Sequence, residues 1–549
     1  MHSPRNQPAR HSPRRHRMKL YNTLTRSVDT LTPLRADNVK LYTCGLTVYN
    51  QPHIGNWLPY IYWDILVRAL RAEGNSVEHT QNITDVGHMT SDDDTGEDKM
   101  EKGAKREGIT AWDIAAKYID IATREAAQLG LLQPTHLVRA TDTIPQQIAF
   151  AEGLDKKGYL YEISGDGMYF DTSKLVNYGA LAKLDVAGLA AGARVSVAGK
   201  KNITDFAVWK FSPKGTKRDM EWWAPWNNGT DESGETHPVG TPRTSHSNTP
   251  QDGEQRAKPY NTYGYGEGVA ESSAQQHAES AGGLTSSAEQ QNGAVSGSWG
   301  FPGWHLECSV IARETLGDTI DIHAGGIDHI PVHHTNEIAQ TEAITGKTFS
   351  QFWIHCNHLK VEGGKMAKSK GNVYTLADIT AKGYPVAAFK LFALGKHYRT
   401  EGNFTWENLE AAANRLRNWQ EAADLRHQIT HQSNEANDAP AFRAKLIALL
   451  ANDLDTVAAL QFIDKTLETV REKHASDEPL EAILEIIAAI LGIDLRKAAI
   501  PQTVQAIIED RNQARAAKDW ARSDELRDTL AEQGIGLRDT PNGAIWYRL

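Results

Sequence analysis

Between residues 38 and 84, the spacing of hydrophobic residues changes from a strand pattern to a helix pattern and back. The segment NVKLYTCGLTVYN (38–50) alternates apolar and polar residues in a strand-like way until Gly45 interrupts it. NWLPYIYWDILVRALRAEG (56–74) then repeats apolar residues at helical spacing, and SVEHTQNIT (76–84) returns to a strand pattern. A strand, a glycine turn, a helix and a second strand form a βαβ unit, which predicts an α/β fold with a parallel sheet.

From about residue 400 the pattern becomes helical. Four segments separated by short breaks have amphipathic or apolar 3.6-residue spacing: TWENLEAAANRLRNWQEAADLRHQI, APAFRAKLIALLANDL, FIDKTLETVREKH and PLEAILEIIAAILGI. They predict an α-helical bundle over residues 396–500. Residues 501–549 predict a further small unit, in which one helix is followed by a strand-like segment that turns at Pro541–Asn542–Gly543.

Two segments show neither pattern. Residues 1–17 carry five arginines, no acids and two HSPR repeats, which predicts a disordered basic tail before a fold that starts at Met18. Residues 227–298 contain nine acidic and three basic residues and no Ile, Phe, Met, Trp or Cys. Such a composition cannot bury enough apolar surface to offset its chain entropy. We therefore predict a disordered acidic insertion between two Trp/Pro-rich ends of one folded domain.

Composition narrows the class of protein. The 549 residues carry a net charge of −10, which argues mildly against a general nucleic-acid coat but leaves room for a local basic track. No stretch approaches the roughly 20 apolar residues of a membrane span, and the basic start has no apolar core of a secretory signal. Three cysteines do not make a disulfide framework, so we expect a reducing cytoplasm and no membrane.

The densest cluster of titratable residues is HAGGIDHIPVHHTNEIAQ (323–340). His333 and Glu337 are four positions apart, on one helical face, and could supply half of a metal site. Cys44 at the end of a strand and Cys308 in GWHLECSV could complete a tetrahedral zinc set. From spacing alone, a solvated helix face and two buried cysteines are the simpler interpretation.

A second candidate is TVYNQPHIGNW (47–57). His53 and Asn56 stand where a strand is followed by a helix, and free N–H groups and the helix dipole favour a phosphate at such a point. Gly55 would allow a ligand to approach closely. Taken alone, a simple turn into a helix is the simpler interpretation of these four letters.

A third candidate is the loop EGGKMAKSKGN (362–372). Lys365, Lys368 and Lys370 lie among glycines and serine, and a flexible cationic loop suits a polyphosphate whose charge develops during group transfer. Taken alone, a solvated basic loop is the simpler interpretation.

Together the two phosphate motifs resemble the HIGH and KMSKS signatures of class I aminoacyl-tRNA synthetases. The flanking segments narrow the resemblance to the cysteinyl-tRNA synthetase family of bacterial type: LYTCGLTVYNQPHIGN, NITDVGHM, GWHLECS, DIHAGGIDHIPVHHTNEIAQ and GGKMAKSKGN. It implies a Rossmann-type catalytic domain with zinc over residues 18–395. HIGN replaces HIGH and KMAKS replaces KMSKS, and Ala324, Ile327 and Thr335 also depart from the common pattern.

The resemblance also implies roles for individual residues. Zinc would be held by Cys44, Cys308, His333 and Glu337. Trp304 would wall the amino-acid pocket, Thr84 and Asp328 would hold the polar groups of the amino acid, and His323 would help to close the pocket. His53, Asn56 and Lys368 would bind ATP phosphates, and Lys365 would join them in catalysis. The implied partners are cysteine, ATP with magnesium, and tRNA(Cys), and we expect a monomer.

The terminal segment ARAAKDWARSDELRDTLAEQGIGLRDTPNGAIWYRL resembles the family's anticodon-binding unit, which predicts this unit over residues 501–549. Arg515, Asp524, Asp539 and Trp546 match positions of that unit. The local balance of seven bases and eight acids predicts recognition by specific hydrogen bonds and stacking on unpaired bases. The alternative for Trp546 is core packing.

Three other functions compete with cysteine–tRNA ligation. A cysteine ligase acting on an amino-sugar thiol precursor shares the catalytic core but lacks the terminal unit. A non-catalytic tRNA-binding paralogue would have lost motif residues that are present here. A zinc hydrolase built on His333 and Glu337 would leave the lysine loop unexplained.

Overall fold

The computed structural model describes residues 17–549 except 88–97, 185–198, 214, 216, 244–295, 367–370, 429–438, 474–477 and 541–542. The strands of this part are Lys19–Asn22 (β1), Ser27–Thr30 (β2), Asn38–Thr43 (β3), Ser76–Ile83 (β4), His136–Arg139 (β5), Leu160–Ile163 (β6), Gly167–Phe170 (β7), Phe206–Phe211 (β8), Trp222–Gly229 (β9), Gly297–Pro302 (β10), Ile320–Gly326 (β11), Ser350–Cys356 (β12), Leu359–Val361 (β13), Gly402–Phe404 (β14), Ile535–Thr540 (β15) and Gly543–Arg548 (β16).

The α-helices of the described residues cover both the amino-terminal and the carboxy-terminal halves. They are Ile54–Ala72 (α1), Lys99–Glu107 (α2), Ala111–Gln128 (α3), Ile144–Lys156 (α4), Leu306–Leu316 (α5), His333–Thr345 (α6), Leu376–Ala381 (α7), Val386–Leu394 (α8), Trp406–Asp424 (α9), Ala439–Leu450 (α10), Thr456–Lys473 (α11), Glu478–Leu491 (α12), Gln502–Ala516 (α13) and Trp520–Glu532 (α14). None of these helices is long and apolar enough to cross a membrane.

A five-stranded parallel sheet forms the centre of the catalytic region, in the order β12-β11-β3-β4-β5. The chain moves from β3 towards β5 on one side and later adds β11 and β12 on the other, so the strand order reverses beside β3. In open α/β sheets, ligands bind at such a switch point, outside the carboxyl ends of the strands. The predicted βαβ unit and its parallel sheet are confirmed.

The hydrophobic core lies on both faces of this sheet. On one face, α1 packs in a continuous cluster with the helices of the bundle, and Ile61, Leu66 and Leu70 are fully buried. On the other face, α3, α4 and α5 pack against β4 and a second sheet. Helices cover both faces of the sheet, which buries most of the residues of β3, β11 and β12.

The second sheet is antiparallel, in the order β6-β7-β8-β10-β9, and it corrects the edges of the predicted insertion. Residues 227–229 belong to β9, residues 297–298 belong to β10, and Pro242 bridges to Trp222. The ring of His237 packs against Trp223 in β9 and Trp299 in β10, at 4.9 and 5.0 Å between ring centroids, so the segment around His237 belongs to the folded sheet. Residues 244–295 lie outside the described residues.

The carboxy-terminal half is helical, as predicted, and ends in a small unit of two helices and a hairpin. The single helix expected before the hairpin is divided between α13 and α14. Lys518 adopts a left-handed φ of 61°, and the Asp519 side chain accepts a hydrogen bond from the backbone N–H of Arg522. A left-handed residue followed by an aspartate cap ends one helix and begins the next.

The predicted start of the fold agrees with the packing of Met18, which is 2% exposed. The backbone N–H of Lys19 donates to Ala451 O at 2.8 Å, so β1 is tied to the helical bundle. Residues 1–16 of the predicted tail lie outside the described residues.

Candidate active site

His53 and Asn56 stand at the start of α1, as the sequence predicted. His53 Nδ1 accepts a hydrogen bond from the backbone N–H of Asn56 at 3.2 Å, and Asn56 Oδ1 accepts one from the backbone N–H of His53 at 3.0 Å. This reciprocal pair caps the helix. Because Nδ1 is the acceptor, the hydrogen of a neutral His53 ring lies on Nε2, which can donate to a phosphate oxygen.

The fold brings the lysine loop onto the start of α1. A Cβ atom added to Gly55 would lie 2.2 Å from Met366 Cε, so the end of the Met366 side chain packs directly onto this glycine. The backbone N–H of Ile54 donates to Tyr374 O at 2.8 Å on the far side of the loop. Lys365 is exposed beside this contact, while Lys368 and Lys370 lie outside the described residues. Two motifs about 310 residues apart in sequence therefore meet at one place.

The four predicted metal ligands also converge. Cys44 follows β3, Cys308 lies in the first turn of α5, and His333 and Glu337 lie one turn apart on α6. One ligand atom from each lies within 4.8 Å of all the others, and all four side chains are buried. The backbone fixes Cys44, because its N–H donates to Ala324 O at 3.1 Å and its carbonyl accepts from the Tyr60 hydroxyl at 3.1 Å.

The charges in this cluster fit a cation. Burial opposes ionisation of Cys44, but a hydrogen bond with Cys308 holds the pKa of Cys44 well below its usual value. Burial and the neighbouring Cys44 raise the pKa of Cys308 well above its usual value. Of these two adjacent buried thiols, Cys44 therefore ionises more readily than Cys308. Thiolates are the form that binds metal, so a divalent cation would allow both to ionise.

Glu337 and His333 form an ion pair inside the same cluster. His333 Nε2 lies 3.0 Å from Glu337 Oε1. Burial opposes the charge of both groups, yet the neighbouring histidines His323 and His333 lower the pKa of Glu337 to about 2, and Glu337 raises the pKa of His333 to about 10. Two thiols, an imidazole and a carboxylate match the donor set that zinc takes.

Further histidines surround the cluster. His334 Nε2 lies 3.3 Å from Cys44 Sγ, and His334 Nδ1 lies 2.8 Å from His355 Nε2. His323 Nε2 lies 2.8 Å from Glu337 Oε2. By distance alone, Cys44, His323, His334 and Glu337 form a second set of groups that could hold a metal. The two sets share Cys44 and Glu337, so they describe one centre with two choices of partner.

The predicted amino-acid pocket is only partly assembled around this centre. Trp304 packs on His333, with ring centroids 4.5 Å apart, and Thr84 is 2% exposed at the end of β4. Asp328 follows β11 and is exposed. His323 is fully buried and stacks on Trp353 at 4.5 Å, so its contacts are to Glu337 and to the core.

The residues that sequence reasoning missed here are Asn82 and Glu307. Asn82 Nδ2 donates to Thr84 Oγ1 at 3.0 Å, and the Thr84 hydroxyl donates to Glu307 Oε1. Burial raises the pKa of Glu307 to about 8. Both residues lie in quoted motifs, NITDVGHM and GWHLECS, and an acid beside a cysteine ligand was the available signal.

In the terminal unit, Asp539 is exposed and lies among arginines. Arg511 donates to it through both terminal nitrogens, at 2.6 and 2.9 Å, and Arg515 and Arg527 also bond to it. Arg511, buried at 1% exposure, was missed from the sequence. Arg515 and Asp524 lie near this group with at least part of their side chains in solvent.

Trp546, which the family resemblance assigns to the anticodon-reading unit, lies in the core of the terminal unit. Trp546 is 6% exposed and packs in the terminal core with Ile500, Val504 and Leu530. The aromatic side chain on the surface of this unit is Trp520, which is 58% exposed at the start of α14. The position of Trp546 corresponds to core packing, the alternative interpretation for this residue, and a part for Trp546 in RNA recognition stays a prediction.

Comparisons with known proteins agree with this geometry. The family "tRNA synthetases class I (C) catalytic domain" matches residues 30–232 and 283–414, with its break inside the predicted insertion. The family "Cysteinyl-tRNA ligase anticodon binding domain" matches residues 497–548.

Individual proteins give the same result. Cysteine–tRNA ligase 1 of Burkholderia lata is 38% identical over 96% of this chain and 96% of its own length. Cysteine–tRNA ligase of Caldicellulosiruptor saccharolyticus is 35% identical over 97% of this chain and 100% of its own. A solved Mycobacterium tuberculosis methionyl-tRNA synthetase with methionyl-adenylate shares the fold, with a TM-score of 0.51 at 12% identity over 83% of this chain and 92% of its own. The chain belongs to the cysteine–tRNA ligase family of class I aminoacyl-tRNA synthetases.

Proposed function

We propose that this enzyme activates cysteine with ATP to cysteinyl-adenylate and transfers cysteine to tRNA(Cys), and that zinc selects the substrate thiol. The observation that carries the proposal is the convergence of four buried ligand groups within 4.8 Å of one another. They lie at the carboxyl edge of the parallel sheet, where α1 also begins and meets the lysine loop.

Cys44, Cys308, His333 and Glu337 would hold the zinc. This set is preferred over His323 and His334 because it contains both thiols, and soft thiolates select zinc over hard cations. When bound, zinc supplies a Lewis acid that takes the substrate as a thiolate. A hydrophobic pocket separates near-isosteres by only about 1–3 kcal/mol, whereas a specific bond can reject a mimic by about 10⁴ or more. Serine, with its poorly acidic hydroxyl, would be excluded without an editing domain.

The phosphates of ATP would lie at the start of α1. His53 and Asn56 offer an imidazole and an amide there, beside the positive end of the helix. Lys365 and Lys368 would come from the loop that Met366 packs onto Gly55, and magnesium would arrive with the nucleotide. These cations stabilise charge that develops as pyrophosphate departs, so their contribution is larger in the transition state than in the ground state.

No protein nucleophile is needed in either step. The cysteine carboxylate attacks the α-phosphorus of ATP and releases pyrophosphate, and the terminal adenosine of tRNA then takes the cysteinyl group and releases AMP. Positioning and charge stabilisation account for the acceleration. The terminal unit would read the anticodon loop through specific bonds and through stacking on the exposed face of Trp520. We propose that the enzyme acts as a monomer in the cytoplasm.

Two assays on the purified enzyme test the proposal. Cysteine should support ATP–pyrophosphate exchange and serine should not, and tRNA(Cys) should then accept the cysteinyl group. If cysteine supports exchange but is then transferred to an amino-sugar and not to tRNA, the result would favour the amino-sugar ligase. Absence of cysteine-dependent exchange would refute the proposal.

A further inference from the structure

We propose that Glu307 is a substrate-binding residue: its carboxylate accepts a hydrogen bond from the α-ammonium group of the amino acid. The proposal rests on the proposed function, because it assigns a contact within the cysteine site. Glu307 lies in the first turn of α5, three residues after Trp304 and directly before Cys308. It therefore lies between the pocket wall and a metal ligand.

The two carboxylate oxygens of Glu307 have different surroundings. Oε1 accepts from the Thr84 hydroxyl and, more weakly, from Asn82 Nδ2 at 3.4 Å. Oε2 is buried and has no hydrogen-bond partner within the described part of the chain. A buried polar oxygen without a partner is costly, and such a group in a native structure calls for a missing partner. With the metal taken by Cys308 and its partners, the ammonium group of cysteine is the cation on the amino acid itself that could reach Thr84 and this oxygen.

The same network orients Thr84 for this role. The backbone N–H of Gly45 donates to Asn82 Oδ1 at 2.7 Å, which turns Asn82 Nδ2 towards Thr84 Oγ1. A Cβ atom on Gly45 would lie 1.6 Å from Asn82 O, so the close approach requires glycine. The Thr84 hydroxyl hydrogen is committed to Glu307, and one oxygen lone pair receives Asn82. The other lone pair can accept from an ammonium group.

Glu307 thus links the two determinants of the substrate. Cys308, next in sequence, would hold the metal that takes the thiol, while Glu307 and Thr84 would take the ammonium group on the same amino acid. A rigid helix turn sets the spacing between the two subsites, and substrate groups bound at both ends are held in a defined position for attack on ATP.

The test compares Glu307→Gln with wild type in cysteine-dependent ATP–pyrophosphate exchange. Loss of a charge-assisted hydrogen bond should raise the KM for cysteine about 10–100-fold, with kcat changed less. The second probe is 3-mercaptopropionate, which keeps the thiol and the carboxylate but lacks the ammonium group. Its inhibition constant should stay within about threefold of wild type in the variant, since the lost contact is one that this ligand never made.

Controls separate binding from structural damage. Metal content and melting temperature should be those of wild type, and Glu314→Gln, which changes an exposed acid on the same helix, should have wild-type kinetics. An unchanged KM for cysteine would overturn the proposal, as would equal weakening of cysteine and 3-mercaptopropionate. If wild type itself shows no exchange with cysteine, the proposed function fails rather than this contact.

Discussion

The metal cluster and the terminal unit are built in opposite ways. The cluster takes its four ligands from β3, α5 and α6, and each is at most 7% exposed. The terminal unit presents its polar and aromatic groups on the surface, with Trp520 exposed and Asp539 paired to arginines. A buried site is fixed by the fold before substrate arrives, whereas a surface site adds binding energy to a large partner. Changes in the first should therefore abolish activation, and changes in the second should affect tRNA charging alone.

The largest effect is expected from Cys308→Ser. A neutral hydroxyl is a poor zinc ligand, so bound zinc and cysteine-dependent exchange should both be lost, exchange by about 10³-fold or more, because even changes around the ligands cost about 10–100-fold. Metal analysis and pyrophosphate exchange measure the two effects. Cys356→Ser is the matched control, since Cys356 is also buried but lies outside both candidate ligand sets. Stoichiometric zinc with normal exchange in Cys308→Ser would contradict the assignment.

Substitution of His333 and of His334 distinguishes the two candidate ligand sets, because each set contains only one of them. His333→Ala should lose zinc, whereas His334→Ala should retain one zinc per chain with affinity lowered about 10–100-fold, as expected for a residue that contacts a ligand. Titration with a chelating dye measures both affinities. The opposite ranking would assign zinc to the set containing His323 and His334.

The lysine loop should affect the chemical step. Lys368→Ala should lower the rate of adenylate formation about 10²-fold or more while changing cysteine affinity little, since its charge is needed mainly as pyrophosphate leaves. Single-turnover kinetics with equilibrium binding separates the two quantities. Equal losses in rate and affinity would place the lysine in substrate binding.

The parts that the sequence could predict are those with a local pattern. The βαβ unit, the helical bundle and the start of α1 each follow from periodicity or from a cap. Residue types and spacing offered the ligand set as one candidate, and motif resemblance was needed to select it, because no local pattern joins Cys44 to His333 across 289 positions. The role of Trp546 could not be predicted, since aromatic residues suit a small core and an RNA base equally well. Exposure, which only the fold determines, separates Trp546 from Trp520.

Substitution of Trp520 and of Trp546 tests whether the terminal unit binds tRNA through its exposed surface. Trp520→Ala should lower kcat/KM for tRNA charging by about 5–100-fold, because stacking on one base contributes about 1–3 kcal/mol. Exchange and melting temperature should not change. Trp546→Ala should instead reduce the stability of the terminal unit by about 3–5 kcal/mol, as a buried aromatic lost from a core does. If Trp520→Ala charges tRNA normally, the exposed ring is not a stacking surface for the anticodon loop.

The smallest effect is expected from replacing residues 244–295 with a short Gly-Ser linker. These residues lie outside the described part of the chain, and the catalytic family match is itself interrupted from 233 to 282. The strands on either side, β9 and β10, pair directly, with Trp223 opposite Trp299. The segment that leads from β10 to Cys308 is therefore positioned by the sheet and not by residues 244–295. Closure entropy depends only weakly on loop length. Exchange and charging should therefore stay within about threefold of wild type. Loss of charging alone would show that the acidic segment guides tRNA, and loss of both activities would show that it supports the metal cluster.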